Sequence, residues 1–153
     1  MDLAVSIAVP VGLGALSGYA TRGETQGEWY TTLKKPSWQP PKWLFGPVWT
    51  TLYILMGVAF WRVWRAGAPA GPVALFAVQL ALNVAWSFVF FKKHDLTLAL
   101  ANILALLGLL LATVSAFYDT DRTAGLLLVP YLLWLTFASA LNTRLWQLNP
   151  TRR

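Results

Sequence analysis

The stretch from Leu96 to Phe117 reads LTLALANILALLGLLLATVSAF and carries no charged side chain. A helix needs about 20 mainly apolar residues to cross the hydrocarbon core of a bilayer, so this segment already points to lipid as the chain's solvent. Four more such stretches flank it, over about residues 3–20, 43–64, 73–91 and 124–146. The expectation is an all-α integral membrane bundle of five transmembrane helices, one domain covering residues 1–153. Short connections between most of the spans predict antiparallel neighbours in an up-down bundle.

Composition agrees with that reading. Apolar residues make up 57% of the chain and charged residues 12%, where soluble chains carry roughly 25% charged. The net charge of +6 does not point to nucleic acid, because the bases fall between the apolar segments and suit anionic head groups. The chain has no cysteine, which removes disulfides, thiolate metal sites and a cysteine nucleophile. No basic run precedes the first apolar stretch, so that stretch reads as a retained helix and not as a cleaved signal.

Turn residues and charges mark the breaks. Gly67, Pro69, Gly71 and Pro72 separate the second and third spans, Lys92 to Asp95 the third and fourth, and Asp119, Asp121 and Arg122 the fourth and fifth. Pro130 falls early in the fifth span, where a kink is tolerable. The connection from Thr21 to Lys42 is longer than the others and holds Trp29, Tyr30, Leu33 and Trp38. It reads either as a lid on the bundle mouth or as part of an interfacial aromatic belt. Nine of the twelve Lys and Arg residues fall on the side of this connection and three on the other, which predicts a cytoplasmic C-terminus. No internal repeat of the kind found in inverted-repeat transporters is seen.

Three spans carry aligned aromatic or amide positions. Gln79, Asn83 and Ser87 recur every four residues on the third span, with Trp86 and Phe90 beside them. Trp49, Tyr53, Met56 and Phe60 line up on the second span, and Tyr131, Trp134, Ala138, Leu141 and Asn142 on the fifth. Polar side chains at this depth face protein or a cavity. They read either as interhelical hydrogen bonding or as a flat aromatic cavity for a planar, mostly apolar ligand. No span has an acid or base near its middle, which argues against a proton relay. No metal-ligand spacing, nucleophile with a base, phosphate loop or dinucleotide fingerprint is present. His94 reads as a solvated loop residue. Gly14 with Gly18, and Ala101, Ala105, Gly108 and Ala112, form small-residue tracks suited to close helix approach, inside the bundle or between subunits.

The run from Trp29-Tyr30 through Leu33, Lys35-Pro36-Ser37-Trp38 and Pro40-Pro41, then Phe45-Gly46-Pro47-Val48-Trp49-Thr50, resembles the translocator protein (TspO, peripheral benzodiazepine receptor) family. Gln79 to Asn83 with Trp86, and Pro130-Tyr131, Trp134, Phe137-Ala138 and Leu141-Asn142, continue the likeness in order and spacing, over about residues 18–149. The resemblance implies a five-helix protein, often a homodimer, whose pocket is closed by the first loop. It implies binding of porphyrins, and in animals of cholesterol and benzodiazepine- or isoquinoline-type drugs, with no cofactor required. Its pocket positions match Trp38, Trp49, Tyr53, Asn83, Trp86, Ser87, Trp134, Ala138 and Leu141. In bacterial relatives the tryptophans matching Trp49 and Trp134 are linked to light-dependent breakdown of protoporphyrin IX, which would make those two catalytic. Thr143 and Gln147 stand where the animal sterol pattern needs a tyrosine and a base. That departure weighs against cholesterol transport. It also favours a bacterial envelope membrane over the mitochondrial outer membrane.

Overall fold

The computed structural model describes all 153 residues, which form helices and connections with no strand. Five helices are long and apolar enough to cross a membrane: α1 Leu3–Thr21, α2 Lys42–Arg65, α3 Ala70–Lys92, α4 Leu96–Thr120 and α5 Arg122–Leu148. Three of them start on an aspartate. The carboxylates of Asp2, Asp95 and Asp121 accept the backbone N–H of Ala4 (2.9 Å), Leu98 (2.7 Å) and Ala124 (2.9 Å). Each thereby satisfies an amide that the first helical turn leaves open.

Two helices are irregular for identifiable reasons. α5 is interrupted at Leu128, between a short segment Arg122–Leu127 and the long segment Val129–Leu148. Pro130 lacks the N–H that would reach the Leu126 carbonyl, and its ring crowds that carbonyl; in the turn before it, Leu128 N–H donates to the Gly125 carbonyl in a tighter bond of 3.2 Å. α3 ends in a wider turn over Phe88–Lys92, with Lys93 N–H reaching back to the Phe88 carbonyl at 3.0 Å.

Around the bundle the helices run in the order α1, α2, α5, α4, α3. Short connections predicted that consecutive spans would be neighbours, and this holds for α1–α2, α3–α4 and α4–α5. The exception is α2–α3, which approach closely only in places because α1 lies between them. Phe60 of α2 bridges that gap by stacking on Phe76 of α3 with centroids 4.7 Å apart, and Phe76 stacks in turn on Phe117 of α4 at 5.8 Å.

The two halves of the bundle differ in packing. In the half away from the 22–41 connection, Met56, Ala59 and Val63 of α2 meet Phe76 of α3, Leu110 and Phe117 of α4, and Ala124 and Leu128 of α5. This half is a filled core. At its end, Arg62 grips Asp121 through two bonds of 3.1 and 3.0 Å, joining α2 to the α4–α5 turn. The Arg62 bonds, followed by the Ala124 amide, hold the Asp121 carboxyl below the usual carboxylate range. The half nearer the connection is hollow.

Close approach of backbone to backbone rests on two glycines outside the α4 track, while Gly14 of α1 makes room for the Tyr53 ring. A Cβ on Gly57 of α2 would come within 2.5 Å of the Ile7 Cα and 2.6 Å of the Ser6 carbonyl on α1. A Cβ on Gly125 would come within 2.7 Å of the Tyr118 Cα. In contrast Ala101, Ala105, Gly108 and Ala112 all point outward from the bundle.

Gly57→Val should therefore lower stability by about 1–3 kcal/mol through overpacking against the α1 backbone. Gly12→Ala, which has open space around it, should stay within about 0.5 kcal/mol of wild type. Thermal unfolding in detergent compares the two. Because the Asp121 carboxyl is depressed in the fold, its contribution is complete above the unfolded value of about 3.9 and is lost as pH falls through the folded value. The acid-side drop in midpoint temperature should be smaller in Asp121→Asn than in wild type.

Candidate functional site

The hollow half encloses a cavity of about 510 Å³ with walls from all five helices, within the ~300–1,000 Å³ typical of small-molecule sites. Beneath it runs a chain of hydrogen bonds that reaches the cavity at Tyr53 and Asn83. The Tyr53 hydroxyl donates to Asn83 Oδ1 at 2.6 Å, and Asn83 Nδ2 donates to the Tyr131 hydroxyl at 2.8 Å. Tyr131 in turn donates to Gln79 Oε1 at 3.0 Å. With α2, α3 and α5 each contributing, these groups satisfy one another except at the end of the chain, where the Gln79 amide N–H has no partner.

The aromatic walls rise above this chain. Trp49 lies tilted on Tyr53 at 5.6 Å and edge-on to Tyr131 at 6.1 Å. Trp134 is held between Phe45 of α2 at 5.8 Å and Phe137 at 5.5 Å. Trp86 stacks on Phe90 at 4.9 Å and donates its indole N–H to Asn142 Oδ1 at 3.1 Å. Asn142 is fixed by its own bond to the Ala138 carbonyl. Ser87, Ala138 and Leu141 complete these walls.

Of the nine positions expected in the pocket, the structure gathers eight: Trp49, Tyr53, Asn83, Trp86, Ser87, Trp134, Ala138 and Leu141. Trp38 stands apart. It is 47% exposed and meets Phe137 edge-on at 5.7 Å, so Phe137 lies between it and Trp134. The cavity also takes in residues that sequence reasoning had not placed there, including Ser17 and Arg22 of the α1 end, Gln39 and Lys42 of the connection and α2, and Ile103 and Leu106 of α4. For α1 there was a signal, since Gly14, Ser17 and Thr21 share one face. The leucine-rich α4 offers none.

Three buried polar atoms of cavity residues have no protein partner: Ser17 Oγ, Gln39 Oε1 and the Trp134 indole N–H. Each represents a cost of about 1–3 kcal/mol unless something bonds to it. No aspartate, glutamate or histidine lines the cavity, while Arg22 and Lys42 stand at its rim. The residues here can bind and orient, but they contain no acid–base pair. No group of three or more histidine and acidic side chains is placed to hold a metal ion.

The connection from 22 to 41 covers the site and contains two single helical turns, Glu24–Gln26 and Glu28–Thr31. Leu33 is buried among Phe90, Leu96, Ala99, Leu141 and Leu145 at the ends of α3, α4 and α5. The C-terminus clamps it there. Lys34 N–H donates to Asn149 Oδ1 and Asn149 Nδ2 donates to the Lys34 carbonyl, both at 2.9 Å. Arg152 donates to the Thr32 hydroxyl at 2.8 Å and the Trp29 carbonyl at 2.7 Å. Trp29 also stacks flat on His94 at 4.4 Å. Burial raises the Tyr30 hydroxyl pKa, and burial followed by the Arg152 charge lowers that of the Lys35 ammonium.

A five-helix bundle with an aromatic, apolar chamber beside a clamped connection defines a polytopic membrane protein with an internal cavity. The chain belongs to the TspO/MBR family, whose sequence model matches residues 6–147. It is 44% identical to the tryptophan-rich protein TspO of Chlorobaculum tepidum over 95% of this chain and 97% of that protein. It is 40% identical to the translocator protein of Bos taurus, over 92% of this chain and 88% of that one. It is 41% identical to the tryptophan-rich sensory protein of Cereibacter sphaeroides, over 92% and 90%.

Removing the clamp should loosen the connection and leave the bundle intact. In Asn149→Ala, amide hydrogen exchange across residues 28–35 should rise about tenfold, while exchange in α4 stays at the wild-type level. Mass spectrometry of deuterated peptides reads both.

Proposed function

We propose that the protein binds porphyrins, protoporphyrin IX above all, and serves in tetrapyrrole sensing, transport or regulation. The observation that carries this reading is the cavity itself, in which flat aromatic walls surround a mainly apolar space with two cations at one edge. A porphyrin offers the complement: a planar apolar ring, polar nitrogens, and carboxylates on one side. Arg22 has no acidic partner, and Lys42 bonds only to the Thr25 carbonyl at 3.2 Å. Both are therefore open to a carboxylate. The unpartnered Trp134 N–H, Gln39 oxygen and Ser17 hydroxyl are further points at which such a ligand can be oriented.

A second reading is light- and oxygen-dependent porphyrin breakdown. Its support is that Trp49 and Trp134 both line the cavity, so a ring bound there would lie against oxidisable indoles. Sterols and benzodiazepine- or isoquinoline-type molecules are alternative apolar occupants. For sterols the support is thinner, because Thr143 turns its hydroxyl back to the Ser139 carbonyl and Gln147 offers no positive charge. The homodimer implied by the resemblance has an available face in the outward track of Ala101, Ala105, Gly108 and Ala112. The excess of bases on the side of the connection supports a cytoplasmic C-terminus.

Titrating the purified protein with protoporphyrin IX should quench its tryptophan emission. Ala138→Phe, which fills the space, should weaken the apparent affinity about tenfold or more. Undiminished emission of wild type at saturating porphyrin would reject the binding reading. For the second reading, porphyrin absorbance is followed under illumination: decay should be faster with wild type than with Trp49→Phe/Trp134→Phe, and equal decay would rule it out.

A further inference from the structure

We propose that the chamber is loaded sideways from the bilayer, through a window between α1 and α2, by a membrane-dissolved amphiphile with an anionic end. The inference rests on the reading of the cavity as a ligand chamber. It concerns the route into that chamber and the kind of molecule that can take it.

The exposed residues of the cavity wall locate the opening. Ala15, Gly18 and Arg22 on α1 are exposed, as are Lys42, Gly46 and Thr50 on α2, whereas the wall residues of α3, α4 and α5 are all buried or half-buried. The opening therefore lies along the seam between the first two helices, in the half of the bundle nearest the connection.

Four glycines report how the gap along that seam varies. At Gly57 the helices touch backbone to backbone, and at Gly14 a Cβ would collide with the Tyr53 ring. Further toward the connection, one turn on along α1 and two turns along α2, a Cβ on Gly18 or on Gly46 would meet nothing within 4 Å. The seam is closed in the filled half and open in the hollow half. Tyr53 forms the lower sill of the window. The Lys42 bond to the Thr25 carbonyl, at 3.2 Å and exposed, crosses its top.

The attachments of the two sides differ in the same sense. α1 adds no side chain to either buried apolar cluster, and its buried residues are Ser6, Pro10, Ser17 and Thr21. Little apolar contact is lost if its end swings outward. The covering connection is by contrast fixed to α3, α4 and α5 through Leu33 and to the C-terminus through Asn149 and Arg152. The window end of α1 thus lacks the apolar anchor that fixes the covering connection. An apolar ligand is already concentrated in lipid, and its anionic end would come to rest at Arg22 and Lys42, near the level of the head groups.

The chain has no cysteine, so Ala138→Cys places a single thiol in the chamber wall. The full-length protein is reconstituted into nanodiscs and treated with pyrenylmaleimide dissolved in the lipid. Adding Gly18→Leu and Gly46→Leu should slow labelling about tenfold or more. Thr50→Leu, a milder filling of the same window, should slow it in the same direction. Gly12→Leu, elsewhere on the exposed surface of α1, should not. An unchanged rate in both window variants would overturn the proposal, as would faster labelling by a sulfonated maleimide from water. With protoporphyrin IX, the window variants should slow both association and dissociation. Failure of wild type to bind protoporphyrin IX would count against the porphyrin reading alone, since thiol labelling tests the window without it.

Discussion

The hydrogen-bond chain Tyr53–Asn83–Tyr131–Gln79 is the interaction on which the rest of the architecture depends. It joins α2, α3 and α5 at the level where the bundle changes from filled to hollow. Lipid offers no substitute partners, so these side chains hold the three helices in one register or leave several polar groups stranded. On one side of the chain, Phe76, Leu110, Phe117 and Leu128 close the space completely. On the other, Trp49, Trp86 and Trp134 stand apart and leave it open. Polar bonding at mid-depth thus separates a region that stabilises the fold from a region free to host a guest.

The cover over the open region is held by different means. It depends on one apolar plug, Leu33, and on polar bonds from the C-terminus to the backbone of Lys34 and Trp29. Here water is nearby and charge is tolerated, which suits Arg152, Lys35 and the Glu24 pairings with Lys92 and His94. The last residues of the chain therefore belong to the site's architecture although none of them lines the cavity.

Much of this was legible in the sequence because lipid imposes strict rules. Run length and charge placement located the five spans to within a few residues, since no other element satisfies its backbone in hydrocarbon. Helical spacing puts Trp49 with Tyr53, and Trp134 with Ala138 and Leu141, on common faces, but the same stripes carry Met56, Phe60, Gln79 and Tyr131, which pack below the cavity and do not line it; it was the family resemblance that picked out the cavity positions. What spacing could not give was azimuth between helices. The close approach of α1 to α2 comes through Gly57 meeting Ile7, and one glycine in an apolar run does not name its partner. Trp38 shows the same limit: its motif is distinctive, yet the turn after Pro36 sets it against Phe137 and not over the cavity. Ile103 and Leu106 were invisible among the many leucines of α4.

The interruption of α5 at Leu128 has a consequence for how the walls are aimed. A continuous helix from Arg122 would lock the phase of Trp134, Ala138 and Leu141 to the Asp121 cap and to the Gly125–Tyr118 contact. The break acts as a phase shifter: the first segment sits in the position its turn demands, and the second restarts at Val129 with its own rotation. Anchoring and aiming are thereby assigned to separate stretches of one transmembrane span. The rotational setting of the indole wall is consequently a degree of freedom that the turn between α4 and α5 does not dictate.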